Sequence, residues 1–319
     1  MKSIHHFELP PNLRKVLKKT KKLEWITLIY LLSVAVIMYL SLGSSQAMKT
    51  AWLEDVLSLI PSLAFLITTK VNDRSANENY PYGYHRVFSI SFLAGAVAVF
   101  GMGVFLIYDS GLALINSHHP TIGFRTVFGY RIWMGWIMIV ALLYSAVPAM
   151  ILGAKKLPLA VKLHNKVLYT DASAQKADYM TALAAIVGII LVGFGLWWAD
   201  AVAALFISVS VVKDGVMHLR EAATDLMDRY PQKIKENQPD EVIREVETTA
   251  GQWSWVKDVA VRFRESGQVY FGEIAVVPQK GYTMEDLEEG YKEIRNINWR
   301  LFDFTIAPVQ ELPPWGKKK

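Results

Sequence analysis

The sequence predicts an α-helical membrane protein, a bundle of six transmembrane helices followed by a small cytosolic α+β domain. Three observations carry this. The chain of 319 residues is 52% hydrophobic and only 20% charged, too apolar for an ordinary soluble protein of its size. Its apolar residues gather into long runs between residues 25 and 220, most of them near the ~20 residues a span requires. Lys and Arg crowd alternate connections, the pattern of loops held in the cytoplasm, which places both termini there.

The expected organisation is a cytosolic segment over 1–24, a membrane domain over 25–220, a cytosolic domain over 221–310 and a basic, Pro-rich, disordered tail over 311–319. Trp25–Leu42 is the first span, and the basic run Arg14–Lys22 sets its start in the cytoplasm. Met1–Pro11 is polar and shows no signal-peptide pattern. Trp52–Thr69 is the second span; it carries Glu54, Asp55, Ser58 and Pro61. Val87–Tyr108 is the third, with glycines that permit close helix approach. Ile132–Leu152 is the fourth, with Lys155, Lys156, Lys162 and Lys166 expected in the loop after it. Tyr169–Gly195 is the fifth. The sixth has an apolar centre of about a dozen residues, Ala201–Val212, and reaches spanning length only from Trp197 to Leu219, with Asp200 expected as its N-cap. Beyond Arg220 the pattern is helix–strand–strand–helix–strand: Pro239–Gly251, Val256–Phe263, Val269–Val277, Met284–Asn296 behind a Thr283/Asp286 cap, and Trp299–Val309.

The fifth span holds the residues of most chemical interest. Asp171, Gln175 and Asp178 fall at i, i+4 and i+7 and share one helix face. A carboxylate at the centre of a spanning helix costs about 2.5–3.5 kcal/mol on insertion scales, so such groups face a protein interior and mark a functional site by default. The bland alternative is that Asp171 caps the helix and Asp178 is solvated at an interface.

Several strings then point to a family. Tyr80-Pro-Tyr-Gly83-Tyr-His-Arg86 follows the second span, Asp171-Ala-Ser-Ala-Gln-Lys-Ala-Asp178 lies in the fifth, and Leu226-Met-Asp228-Arg-Tyr-Pro231 joins the membrane and cytosolic domains. Their order, with six spans and acids in spans two and five, resembles the cation diffusion facilitator family from about Trp25 to Val309. That resemblance implies a homodimer with a ferredoxin-like cytosolic domain, exporting a divalent metal ion in exchange for protons. It also implies a tetrahedral transport site built from two ligands a turn apart on each of spans two and five. Asp178 occupies the family's Asp position, but Ala174 stands where a relative offers His or Asp. In span two the spacing allows Glu54 with Ser58 or Asp55 with Leu59, and both acids are carried. The metal candidates are therefore Asp178, Asp55, Asp171, Glu54, Gln175 and Ser58.

No His or Cys lies near this group, and the chain has no cysteine at all. An all-oxygen site suits Mn, Fe(II) or Mg better than Zn. Acids crowded in a low dielectric take up protons when the metal leaves, so metal and proton compete for one site. The expected partners are the divalent ion, protons, the lipid membrane of a bacterial inner membrane and a second copy of the chain, with no resident cofactor and no nucleic acid. A scaffold that kept the fold and lost transport is the alternative, fed by Ala174. An enzyme is not expected, because neither HExxH nor Gly-x-Ser-x-Gly occurs.

Other positions read as structural. His85, alone in its loop beside Asp73 and Glu78, is expected to be solvated, as are Asp240, Glu241, Glu285, Glu288 and Glu289. His5, His6, the His118-His119 pair and His164 are weak candidates, Asp109 is an interface residue, and His218 is expected at the end of span six. Trp253 and Trp255 are expected in the core. Lys176 is expected to snorkel to the interface.

Overall fold

The computed structural model describes residues 9–116, 122–127, 130–234 and 238–316. The candidates His5, His6, His118 and His119 lie outside these residues, as does the Lys317–Lys319 tail. Two compact units divide the chain. A helical unit takes residues 15–70 and 90–223, and an α+β unit takes 71–89 and the chain from 224 onward, together with the described residues up to 14.

Six helical stretches are long and apolar enough to cross a membrane. The first, α1 (Pro11–Ser41), begins with a proline at the position where a missing N–H costs nothing. Its 31 residues extend to about 46 Å, more than a ~30 Å hydrocarbon layer, so its basic first turns lie beyond the apolar part. The second stretch is two helices, α2 (Gln46–Leu57) and α3 (Leu59–Asn72), broken at Ser58. Pro61 accounts for the break: it offers no N–H to the Leu57 carbonyl, and its ring crowds that carbonyl. The others are α4 (Val87–Ile115), α5 (Met134–Lys162), α6 (Lys166–Gly193) and α7 (Trp198–Leu226). Between α4 and α5 the chain forms a short antiparallel hairpin, β1 (Phe124–Val127) with β2 (Tyr130–Trp133).

The helices pack through Val34, Met38, Met48, Leu142, Ile189 and Ile207, all buried, while Ile29, Leu32, Val36 and Leu40 of α1 remain exposed. A continuous apolar outer surface of this kind suits lipid rather than water. Close approach is bought with glycine at the α4–α7 crossing, where a Cβ on Gly103 would lie 2.9 Å from the Val212 backbone nitrogen. Two expectations change here. None of Lys155, Lys156, Lys162 and Lys166 is in a loop, because α5 continues to Lys162, α6 begins at Lys166 and only Leu163–Asn165 separates them. His218 does not end the last span: α7 runs on to Leu226, and the imidazole packs against Phe92 at 5.8 Å.

The α+β unit follows the expected order: α8 (Glu241–Gly251), β3 (Val256–Ser266), β4 (Val269–Pro278), α9 (Met284–Ile297) and β5 (Leu301–Pro308). The sheet has three strands in sequence order, β3 and β4 antiparallel, β4 and β5 parallel across the α9 crossover. The Thr283/Asp286 capping box is present. One sheet face packs on α8 and α9 through Val246, Ile274, Ile294 and Phe304; Trp255 is in the core as expected, and Trp253, expected there too, is partly buried and stacked on it. The expected solvation of Asp240 is wrong. It is buried, caps α8 by accepting from the Val242 N–H, and pairs with Arg300 at 2.5 Å. Nor is the tail wholly without structure: Pro314–Gly316 forms a single 3-10 turn, and Arg262 lies over the Trp315 ring at 4.5 Å.

Residues 71–89 pack on the other sheet face. His85, expected in solvent, is 5% exposed and lies 4.9 Å from the Phe302 ring and 5.9 Å from Phe271. Burial lowers its pKa to about 4, so the imidazole is neutral at pH 7. Beside it, Arg86 and Arg264 both pair with Asp228, at 2.7 and 3.0 Å.

Candidate metal centre

Asp171 does not cap its helix. The N-cap of α6 is Asn165, whose side chain accepts from the Leu168 N–H, and Asp171, Gln175 and Asp178 all point inward, each no more than 3% exposed. The helical periodicity that placed them on one face therefore sets them against α2, α3 and α5.

The six sequence candidates fall into two groups. In the first, Ser58 Oγ donates to Asp178 Oδ1 at 2.8 Å. Ser58 is the residue at the break between α2 and α3, so the irregular backbone of the second span meets the carboxylate of the fifth. Asp55 is buried against α5, where the Ser145 hydroxyl lies 2.9 and 3.0 Å from its two oxygens. Tyr30 of α1 donates to the Ser145 carbonyl and stands within electrostatic reach of both Asp55 and Asp178. Glu54 lies within reach of Thr181 of α6 and Asp214 of α7. Asp55 and Glu54 both lie within electrostatic reach of Asp178. Neither acid of the pair is turned out to the surface.

This group is under-satisfied. Asp178 Oδ2, Glu54 Oε2 and both amide atoms of Gln175 are buried and have no hydrogen-bond partner. Buried polar atoms are nearly always paired, so such a cluster calls for an occupant. Gln175 is confined by glycine: a Cβ on Gly153 of α5 would come within 3.4 Å of Gln175 Cβ and 3.2 Å of the Ala172 carbonyl. Among the described residues, no three His, Asp or Glu side chains already stand close enough to hold a metal by themselves. The half-buried Ala174 supplies nothing at the vacant family position.

Asp171 belongs to the second group. It pairs with Lys156 of α5, which also reaches Glu24 Oε2 of α1 at 3.0 Å, and Ser62 Oγ of α3 donates to Asp171 Oδ1 at 2.6 Å. Glu24, Lys156 and Asp171 are at most 1% exposed as side chains. Sequence reasoning missed Glu24, Lys156 and Ser62, because hydropathy puts charged residues at span ends in water. It considered Lys176 instead, which is exposed. The signal available was spacing: Lys156 falls ten residues before Lys166, within reach of a helix that continues past Leu152.

Asp200 is not the cap of its own helix. It lies in the first turn of α7, fully buried, and accepts from Ser45 Oγ at 2.6 Å and from the Gln46 N–H at 2.5 Å. Ser45 is the N-cap of α2, its side chain accepting from the Met48 N–H, and Asp200 supplements it from α7 by taking the first free N–H groups of the helix that carries Glu54 and Asp55. Asp109 is held by Lys49 at 2.7 Å.

Six spanning helices with buried acids at their centre, followed by a small α+β region, define a helical membrane transporter. Residues 25–227 match the cation efflux transmembrane domain, and the chain belongs to that family, the cation diffusion facilitators. An uncharacterised transporter of Methanocaldococcus jannaschii is 25% identical over 171 residues, 53% of this chain and 56% of that protein. Manganese efflux system protein MneS of Bacillus subtilis is 23% identical over 189 residues, 58% of this chain and 60% of its own length. The match thus spans less than two thirds of either relative. Manganese efflux system protein MneP of the same bacterium is 21% identical over 282 residues, 86% of this chain and 88% of its own.

Proposed function

We propose that this protein exports a divalent metal ion across a membrane in exchange for protons. The ion is held between the second and fifth spans by Asp178, Asp55 and Glu54, with Gln175 Oε1 and Ser58 Oγ completing an all-oxygen site. The observation that carries this is the set of buried, unpartnered oxygens on Asp178, Glu54 and Gln175, on facing helices. A lone cluster of acids this deep is costly unless a cation or protons neutralise it. Metal and protons therefore occupy the same oxygens in turn, which couples their movement in opposite directions. Asp171, already paired with Lys156, is left out of the ligand set.

The donor chemistry selects the ion. Carboxylate, amide and hydroxyl oxygens suit Mn, Fe(II) or Mg, whereas Zn favours imidazole and thiolate. The two relatives named for manganese efflux favour Mn among these. The active form is a homodimer with both termini and a ferredoxin-like domain, residues 221–310, in the cytoplasm of a bacterial cell. The membrane domain runs from 25 to 220.

Mn uptake into proteoliposomes with an imposed proton gradient tests the reading. Asp178→Asn is expected to bring uptake to the protein-free background and to abolish the accompanying proton movement. Uptake equal to the unaltered protein would overturn it. Two observations favour a second reading, a transport-inactive scaffold: no three acids already converge among the described residues, and Ala174 leaves the family's first ligand vacant. Failure of the unaltered protein to rescue Mn-sensitive cells, while reaching the membrane normally, would select it.

A further inference from the structure

Lys156 takes no part in the transport reading, yet it is fully buried at the centre of four helices. Its ammonium bonds Glu24 of α1 and Asp171 of α6, and Ser62 of α3 closes the cluster by donating to Asp171 Oδ1. Glu24 Oε1 is buried with no partner. Two carboxylates and a hydroxyl, set around a positive charge, repeat the donor chemistry of the Asp178 group. The two groups share one face of α6, seven residues or about 10 Å apart, with Gln175 between them. By composition, the Glu24–Asp171–Ser62 cluster has the donors of a cation site. What distinguishes it is that its cation is part of the chain.

We propose that Lys156 is a specificity-determining residue, the resident cation of this second acid pocket, which withholds Glu24 and Asp171 from divalent metal and limits each chain to one transported ion. The inference rests on the Asp178 group being the transport site. A lysine suits the task because its ammonium is a compact point charge with three donors on a flexible stem. It fills the position a metal would take among these oxygens and cannot be exchanged. Without it, two buried carboxylates would face each other uncompensated, and the most available compensation is a divalent ion already present along the same helix face. The charge of the pocket also matters to its neighbour. A dication lodged about 10 Å from the Asp178 group would repel the ion being transported.

Metal content of the full-length protein, purified in detergent and equilibrated with Mn, tests this by equilibrium dialysis. The unaltered protein is expected to hold one Mn per chain and Lys156→Ala two. Adding Asp171→Asn to Lys156→Ala is expected to return the count to one. Removing the lysine alone leaves two unpaired acids and risks misfolding, so the double variant Glu24→Gln with Lys156→Ala, which keeps the cluster's net charge, serves beside it. It too is expected to gain a second Mn, bound more weakly. An unchanged count in whichever of the two variants folds overturns the proposal, as does a count of two in the unaltered protein. Asp178→Asn is measured in parallel. If it does not lower the count by one, the transport-site reading fails, while the comparison with and without Lys156 can still be read.

Discussion

Ser58 Oγ donates to Asp178 Oδ1 at 2.8 Å, which ties the one break in the second span to the fifth-span carboxylate. Replacing this hydroxyl changes the chemistry of the proposed site without removing an acid. Ser58→Cys would put a soft sulfur beside Asp178 and is expected to shift preference from Mn toward Zn. Competition between the two ions in proteoliposome uptake checks this; an unchanged Mn/Zn ratio would place Ser58 outside the ion's coordination.

Pro61 predicts a second outcome. Alanine there would supply the N–H that the Leu57 carbonyl lacks and favour a continuous helix through Ser58. Pro61→Ala is expected to keep or raise thermal stability in detergent while slowing Mn uptake severalfold. Loss of stability with unchanged uptake would contradict the account of the break.

The Asp200 carboxylate satisfies the start of α2 from another helix, so its removal orphans buried donors. Asp200→Ala is expected to cost roughly 1–3 kcal/mol, the combined scale of a lost cap and of hydrogen bonds to a charged group. A lower melting temperature with unaltered metal preference would show it; an unchanged melt would mean the cap contributes nothing.

His85 sets a pH dependence of the α+β unit. Its folded pKa of about 4 lies below the ordinary 6.5, so the folded state favours the neutral ring. Its contribution is fully present above pH 6.5 and is lost as pH falls from 6.5 through 4, by about 3 kcal/mol at most. Asp240 acts in a different window. Burial works to raise its pKa, but Arg300, the Val242 N–H and the Tyr270 hydroxyl outweigh burial and hold it below the usual carboxylate range. Its contribution persists above about pH 4 and is lost on further acidification. His85→Phe is therefore expected to flatten the fall in melting temperature between pH 6.5 and 4.5, leaving the loss below pH 4 in place. The same slope in both proteins would exclude His85 as its source.

Much of the fold was legible because it depends on local pattern. Long apolar runs gave the spans, alternation gave β3 and β4, and Thr283 with Asp286 marked the start of α9. The inward face of α6 was legible for the same reason, since i, i+4 and i+7 fix a shared direction whatever lies opposite. What lay opposite was not. Lys156 and Glu24 read as water-facing because hydropathy scores each residue alone, and a buried ion pair exists only once two helices meet. Asp200 looked like the cap of its own helix, but it accepts from Ser45 and Gln46 at the start of a helix more than 150 residues away in sequence, a pairing no local rule contains. His85 read as solvated for want of a partner in sequence; Phe271 and Phe302 come from distant strands. The register of span two stayed open because both acids are buried, and the structure gives them different neighbours, Ser145 for Asp55 and Thr181 for Glu54.

The broken second span is anchored on both sides of its break. Asp200 fastens the first turn of α2, and Ser62, one turn past the break, is fastened to Asp171 in the Lys156 cluster. A rod clamped at two points and scored between them bends at the score. Any bending of the two halves would fall at Ser58, whose hydroxyl is bonded to Asp178. If Asp178 holds the ion as proposed, bending of the second span and loosening of the site are one event.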